Sequence, residues 1–361
     1  MDNTFYMKRV FRLARKGAGQ VSPNPLVGAL LVKNDQIISE GFHARFGDSH
    51  AEINALSRLT LNEAEGCDLY VNLEPCSFYG KTPPCTDAII KAKIKRVVIG
   101  MTDPNPRVNG MGVQKLKEAG IQIVTGVLKD KCEELNAPFI KYMTKKKPYI
   151  TIKIAQTLDG KIATPNGNSK WITSEKSRRM VHRMRKENDA VLVGAGTVIH
   201  DNPELTVRFG QGKGGKRIVL DSKLRIPVDS KVLHLPDSEN TIIATTSAAT
   251  EGKIEKLKEL GIVIWKLKSE SNGNVSLAAL FKKMNQEEIQ SVLVEGGKAI
   301  FTSFLLSGET DKLVVFLAPK VFGNGIGSFD DLGIQNPNDA ILFKNMKWRK
   351  LGNEMIFEGT L

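Results

Sequence analysis

The feature that most constrains this chain is an alternation running along almost its whole length. Short apolar runs of strand length take turns with segments of helical period. In the first part, "PLVGALLVK" and "QIISEGF" predict paired strands, "AEINALSRL" a helix and "CDLYVNL" a buried strand. "CTDAIIKAK" predicts a helix, "RVVIGM" a strand, "VQKLKEAG" a helix ending at Gly120, and "IQIVTG" a strand. Strands separated by helices favour a mostly parallel sheet covered on both faces. The expectation is a three-layer α/β/α domain.

The pattern breaks at "KYMTKKKPYI", where a lysine run and Pro148 predict a linker, and then restarts. "YITIKIAQT" predicts a strand, "SEKSRRMVHRMRKEN" a helix and "DAVLVGA" a strand, followed by short buried strands at "KRIVLD", "NTIIATT", "IVIWKL" and "SVLVEGG". "DKLVVFLAPKVFG" and "WRKLGNEMIFEGTL" predict a closing antiparallel pair. A chain of 361 residues suits two α/β domains, here 1–145 and 146–361.

Hydrophobic content of 41% and charged content of 25% are those of a globular protein, which excludes a disordered chain. The segment "MDNTFYMKRVFRLARKGAG" lacks the apolar core of a secretion signal, and no run approaches the ~20 apolar residues that span a bilayer. The expectation is a soluble cytoplasmic protein with no membrane partner. A net charge of +13 is compatible with an anionic partner and says no more. Its Lys and Arg are scattered, and aromatic residues, at 6%, are too few for stacking successive bases. Small phosphorylated ligands are therefore favoured over nucleic acid, and homo-oligomer formation is left open.

The four cysteines are too sparse for a disulfide framework. Cys67 and Cys132 fall in apolar or helical segments and read as ordinary thiols. Cys76 and Cys85 differ, because prolines flank them at a strand-to-helix turn. With His50, from "DSHAEINAL", they form the ligand set of a catalytic zinc site: three protein donors and a fourth position for water. Helix N-termini favour the thiolate form that binds metal. Zinc would bring the water's pKa toward ~7. Glu52, two residues beyond His50, can stand beside that water without ligating and carry protons to the ring nitrogen and the leaving amine.

The H-A-E…P-C…C order resembles the zinc-dependent nucleoside and nucleobase deaminases, whose Glu shuttles protons. The longer insertion in "EPCSFYGKTPPC", with "VSPNPLVGALLV", "GFHARFGDSHAEINAL" and "MTDPNPRVNGMG", is similar to the deaminase half of the bifunctional deaminase–reductases of riboflavin biosynthesis. That resemblance implies a cytidine-deaminase-like fold and a 2,5-diamino-6-ribosylamino-pyrimidinone 5′-phosphate substrate. It also implies substrate contacts at Asn24, His43, Lys81, Asp103 and Asn105. Asn24 and Asn105 could pair with a pyrimidine edge, and His43 and Lys81 suit a phosphate. "SPNP" and "DPNPR" are turn formers in any protein.

In the second part, Gly194-x-Gly196 follows a strand, but Ile199 stands at the third glycine of the dinucleotide fingerprint, so that assignment fails. "YITIKIAQTLDGKIA", "NSKWITSE", "DNPELTVR" and "VEGG" are instead similar to the reductase half of the same family. This implies a dihydrofolate-reductase-like domain that uses NADPH to reduce the ribosyl group to ribityl. Cofactor contacts are implied at Ala155, Trp171, Thr197, Asp201, Ser222 and the run Gly297, Lys298, Ala299, Ile300, Phe301, Thr302 and Ser303. The glycines of "EGGKAIFTS" lie between a strand and a helix, which suits phosphate. Substrate contacts are implied at Lys153, Ser169, Arg185, Leu205, Arg208 and Glu295. Arg185 and Arg208 suit phosphate by their bidentate geometry. Without the resemblance, Arg185 reads as a solvated helix face.

Two rival readings remain. A nucleic-acid base deaminase with an accessory domain shares the zinc chemistry but leaves the second half unexplained. A non-catalytic zinc-stabilised module predicts a saturated metal site and no need for Glu52.

Overall fold

The computed structural model describes residues 2–79, 83–105, 108–209 and 214–361. The chain forms two compact units, Met1–Lys146 and Lys147–Leu361. The first unit runs through α1 (Asn3–Ala14), β1 (Gly28–Lys33), β2 (Gln36–Phe42), α2 (Ala51–Leu56), α3 (Leu61–Ala64) and β3 (Asp68–Leu73). It continues with α4 (Cys85–Lys91), β4 (Arg96–Met101), α5 (Met111–Glu118), β5 (Gln122–Thr125), α6 (Lys129–Leu135) and α7 (Ala137–Lys145).

Its five-stranded sheet has the order β2-β1-β3-β4-β5. Only β3, β4 and β5 are parallel, and β1 runs antiparallel to both its neighbours. The cause is local: Asn34 and Asp35, at φ 50° and 61°, make the two-residue turn that joins β1 to β2 as a hairpin. Both faces are covered, as a three-layer fold requires. Ala29 and Leu31 pack toward α2, α4 and α5 through Ala51, Ile89 and Leu116. Leu30 and Val32 point the other way, toward Tyr6, Met7 and Val10 of α1. Of the lysine run expected as a linker, Lys145 ends α7, Lys146, at φ 54°, closes the helix, and the division between the two units falls between Lys146 and Lys147.

The second unit contains β6 (Tyr149–Thr157), β7 (Lys161–Ala163), α8 (Glu175–Glu187), β8 (Ala190–Gly194), α9 (Ala195–Asp201) and β9 (Lys216–Leu220). Next come β10 (Thr241–Thr245), α10 (Glu251–Glu259), β11 (Val263–Lys266), α11 (Leu277–Gln286), β12 (Ser291–Gly296) and α12 (Lys298–Leu306). The last elements are β13 (Lys312–Ala318), β14 (Ile326–Gly327), β15 (Lys344–Leu351) and β16 (Glu354–Thr360).

Nine strands form one sheet in the order β11-β10-β9-β8-β12-β6-β13-β16-β15. Strands β11 to β13 are all parallel, and β16 and β15 are antiparallel. The first strand, β6, lies between β12 and β13, an order unlike the 3-2-1-4-5-6 of dinucleotide-binding sheets. The closing antiparallel pair is present as β13 with β16, but the final segment is itself a hairpin, turning at Gly352 with φ 64°. Phe301, Phe304 and Leu280 cover one face of the parallel strands, and Val198, Ile254 and Leu257 cover the other. Helix α8 lies over β13 and β16 through Val181. Its first turn is tied to Glu354, whose carboxylate accepts the Ser174 amide at 2.5 Å, the Ser174 hydroxyl at 2.9 Å and the Ser177 hydroxyl. Among the described residues, no helix is long and apolar enough to cross a membrane.

One close approach fixes where α2 sits. A Cβ added to Gly41 of β2 would meet the Ala51 carbonyl oxygen at 2.2 Å and the Ala55 nitrogen at 2.5 Å. Both are backbone atoms and cannot swing aside. Gly41→Ala is therefore expected to push α2 from the sheet and destabilise the first unit by about 1–3 kcal/mol, read by urea unfolding.

Candidate active sites

The chain leaves the end of β3 through Glu74 and Pro75, and Cys76 follows at the turn. Cys85 is the first residue of α4, and His50 is the N-cap of α2. These elements bring His50 Nδ1 to 3.2 Å from Cys85 Sγ and 3.6 Å from Cys76 Sγ. The Cys85 amide donates to Cys76 Sγ at 3.3 Å. The three donor atoms all lie within 4.8 Å of one another. With metal–ligand bonds of about 2.0–2.3 Å, the edges of a tetrahedral site are about 3.5 Å long, so the spacing and donor types fit zinc. Cys67 stands outside this group and donates instead to the Glu63 carbonyl. No fourth protein ligand joins the group among the described residues.

Glu52 is buried on the first turn of α2 beside these thiols. Burial and the negative charge of Cys76 push its carboxyl up to about 7. A hydrogen bond from the Cys85 thiol, assisted by His50, holds the Cys76 thiol well below its ordinary range against burial. The same bond pushes Cys85 up, so the pair favours a single thiolate. A dication is what such a pair needs to ionise fully.

The implied substrate contacts divide. Asn24 Nδ2 donates to His43 Nε2 at 3.0 Å, and His43 Nδ1 donates to the Ser49 carbonyl at 3.1 Å. His43 is thus a buried neutral imidazole, its pKa lowered first by burial. The sequence suggested a cation for phosphate, whereas the geometry gives His43 the task of fixing Asn24. Asp103 and Asn105 lie on the turn after β4, where the Asn105 amide donates to Asp103 Oδ1 at 2.8 Å. Lys81 lies outside the described residues.

Glu74 went unnoticed in the sequence. Its buried carboxylate accepts four backbone amides: Asp103 and Gly110 on one oxygen, each at 3.0 Å, and Gly112 and Val113 on the other, at 2.9 and 3.1 Å. It thereby holds Asp103, Gly110, Gly112 and Val113 against the Cys76 turn. Gly112 must be glycine for this, since a Cβ there would lie 2.1 Å from the Pro75 oxygen. The signal was available as an acid ending a buried strand.

In the second unit, one cavity of about 1640 Å³ opens at the C-terminal ends of the parallel strands. It is lined by all the implied reductase residues except Thr302. Thr302 is buried on the opposite side of α12, where its hydroxyl donates to the Lys298 carbonyl and accepts the Asp330 amide. Lys153, Ala155, Ser169, Trp171, Thr197, Asp201, Leu205, Arg208 and Ser222 converge here from separate segments, joined by Gly297–Phe301 and Ser303. Ser169 donates to Asp201 at 3.0 Å, and exposed Trp171 stacks under the Arg178 guanidinium at 4.2 Å.

At the centre is a buried charge cluster. Arg185 donates to both oxygens of Glu295, from Nε at 2.5 Å and Nη2 at 2.9 Å, and Nη1 donates to the Thr206 carbonyl. Lys153 Nζ lies 3.7 Å from the same carboxylate. Burial alone would raise the pKa of Glu295, but Arg185 and Lys153 override it and hold the carboxyl at about 2. Arg185 is therefore neither a solvated helix residue nor a free phosphate fork, because most of its donors are engaged. Arg208 remains exposed at the cavity.

His182 was also missed. It shares the buried face of α8 with Ser177 and Val181, a helical spacing visible in "SRRMVHRMR". Its Nδ1 accepts the Arg208 amide at 3.2 Å, and burial with the charges of Arg185 and Arg208 holds it down at about 4.

Known proteins can now be set beside these sites. Residues 1–101 match the model of the cytidine and deoxycytidylate deaminase zinc-binding region, and residues 148–357 match the RibD C-terminal domain. The fold and its two sites thus define a zinc-binding deaminase module fused to a reductase. The riboflavin biosynthesis protein RibD of Aquifex aeolicus (strain VF5) is 46% identical over 352 residues, covering 97% of this chain and 96% of its own. That of Escherichia coli (strain K12) is 36% identical, covering 98% of each. The solved structure of Acinetobacter baumannii RibD superposes with a TM-score of 0.88 at 34% identity, covering 99% of this chain and 98% of that one. A Thermotoga maritima structure described as a diaminohydroxyphosphoribosylaminopyrimidine deaminase/5-amino-6-(5-phosphoribosylamino)uracil reductase gives 0.85 at 39%, with the same coverage. The chain belongs to the RibD family of riboflavin biosynthesis proteins.

Two outcomes follow from the buried acids. Glu74→Ala is expected to leave four amides without an acceptor and destabilise the first unit by about 3–5 kcal/mol, with faster hydrogen exchange confined at first to the amides of Asp103, Gly110, Gly112 and Val113. Glu295→Gln leaves two buried cations unpaired and is expected to cost about 3–5 kcal/mol at neutral pH. Because the folded pKa of Glu295 lies below its usual 4.5, the stabilisation is complete above that pH and lost as pH falls toward 2. The stability gap between the parent and Glu295→Gln, measured by urea unfolding, should therefore narrow over that window.

Proposed function

We propose that this protein catalyses two consecutive steps of riboflavin biosynthesis. The first is the zinc-dependent hydrolytic deamination of 2,5-diamino-6-ribosylamino-4(3H)-pyrimidinone 5′-phosphate. The second is the NADPH-dependent reduction of the ribosyl group of the product to ribityl. The reading is supported by family membership over almost the full chain. The observation that carries it is the His50–Cys76–Cys85 cluster with buried Glu52 beside it, in the same chain as a cavity built around Lys153 and Glu295.

In this reading residues 1–145 perform the deamination and residues 146–361 the reduction. His50, Cys76 and Cys85 hold zinc, which supplies Lewis-acid activation of water when bound. Glu52 would carry two protons in turn, the first from that water to the ring nitrogen and the second from the hydroxyl so added at carbon to the amine, which departs as ammonia. A carboxyl pushed toward neutrality by burial suits a group that must both accept and donate. Asn24, braced by His43, and the Asp103–Asn105 turn, held by Glu74, orient the pyrimidine, and Lys81 meets the phosphate.

When bound, NADPH would supply a hydride for the first ribose carbon in its ring-opened imine form, with a proton from solvent completing the amine. Ala155, Trp171, Thr197, Asp201, Ser222 and the Gly297–Ser303 run hold the coenzyme, with Thr302 acting through the helix backbone and not as a wall of the cavity. Lys153 and Glu295 orient the opened sugar, Arg185 keeps Glu295 ionised, and Ser169, Leu205 and Arg208 bound the substrate. The partner is a small phosphorylated pyrimidine and not a nucleic acid, and the site of action is the cytoplasm.

Glu52→Gln is expected to retain zinc, measured by atomic absorption, and to lose deamination by about 10²-fold or more, the scale of a general acid–base group. Reduction of the deaminated intermediate by NADPH should continue in the same preparation. Retained deamination would remove Glu52 from the mechanism, and loss of both activities would reject two separate sites.

A further inference from the structure

The order of the parallel strands fixes the order of groups along the cavity. Lys153 stands on β6 and Glu295 on β12, Gly297 caps α12 immediately after β12, Gly194 to Thr197 follow β8, and Ser222 to Arg225 follow β9. The β12 and β8 turns meet closely: a Cβ on Gly296 would lie 2.6 Å from Thr197 Oγ1. A dinucleotide with its reactive ring at Lys153 and Glu295 and its pyrophosphate at the α12 N-terminus must carry its adenosine toward β9. That end of the cavity has an apolar wall of Val275, Leu277 and Phe281, suited to an adenine ring.

The charge at that end is informative. In dinucleotide-binding sheets an acid receives the 2′-hydroxyl hydrogen bond of an unphosphorylated ribose, whereas an Arg accommodates a 2′-phosphate, and that charge preference holds whatever the strand order. Asp221 is the acid that ends β9, but it is fully buried and points into the fold. Its carboxylate accepts the Ile226 amide at 2.8 Å and the Arg225 Nε at 3.5 Å. Arg225 is tethered through that one nitrogen, with its side chain 61% exposed at the cavity. Its terminal nitrogens have no partner among the described residues, so the face of the guanidinium that grips phosphate is available. Beside it, Ser222 Oγ accepts the Val275 amide at 3.0 Å and keeps its own proton to donate. Lys231 and Glu270 also border this end, one of each sign.

We propose that Arg225, held in place by buried Asp221, reads the 2′-phosphate of NADPH and is the residue that discriminates against NADH. The inference rests on the reading of this cavity as the NADPH site. Asp221 is then a positioning residue: it removes the acid that would favour NADH and aims the cation that favours NADPH.

The test is calorimetric titration of the full chain with NADPH, NADH, 2′,5′-ADP and 5′-ADP, for the parent, Arg225→Gln, Arg225→Lys and Lys231→Gln. Arg225→Gln should weaken NADPH and 2′,5′-ADP by about 10- to 100-fold, the scale of lost charge-assisted hydrogen bonds, and leave NADH and 5′-ADP within about 3-fold. Arg225→Lys should recover part of the loss, since it restores charge without the fork. An unchanged Tm for each variant shows that the fold is intact. The proposal is overturned if NADPH and NADH weaken together, if neither changes, or if Lys231→Gln carries the selective loss instead. A parent protein that binds neither coenzyme would overturn the NADPH reading itself, and the proposal with it.

Discussion

A parallel strand cannot turn back on itself, so its chain must leave the sheet at the C-terminal end with polar backbone and side chains uncovered. Both sites of this protein stand at such ends. In the first unit the exits of β3 and β4 meet the start of α4, and the carboxylate of Glu74 satisfies four of the amides released there. In the second unit the exits of β6, β12, β8 and β9 open side by side into one cavity. The chemistry gathers where the sheets run out of internal hydrogen bonds.

Three buried acids show how surroundings decide what a carboxylate can do. Glu52 has thiols for neighbours and gains little compensation for burial, so its pKa rises into the range of proton transfer. Glu295 is equally enclosed but faces Arg185 and Lys153, so it stays ionised and serves as a fixed charge. Glu74 is surrounded by backbone amides and acts as an architectural acceptor. The same functional group is an electrostatic anchor, a loop clamp and, under the proposed function, a proton carrier.

Much of this was legible in the sequence. Alternating periods marked the strands and helices, and the His50, Cys76 and Cys85 types at strand-to-helix turns marked the metal donors. The hairpin orientation of β1 was readable as a paired strand, but its consequence for a sheet expected to be mostly parallel was not. The helix that runs up to the lysine run was not legible, because charge outweighed the apolar face of α7, with buried Phe139. The hydrogen bonds that engage Arg185 and His43 were hidden for a common reason. A sequence shows a cationic or titratable side chain, and only packing shows that its donors are already engaged. Thr302 faced away for the equivalent reason, because a contiguous run on a helix cannot present every member to one side.

The Arg185–Glu295–Lys153 cluster also limits how the protein can change over generations. Two positive groups share one negative group inside the fold. A lineage that loses Glu295 alone is left with two stranded cations, and one that loses Arg185 alone weakens the charge that keeps Glu295 ionised. Arg185 on α8, Lys153 on β6 and Glu295 on β12 are therefore coupled across three elements, and the stability effects of substitutions at the three positions are not additive.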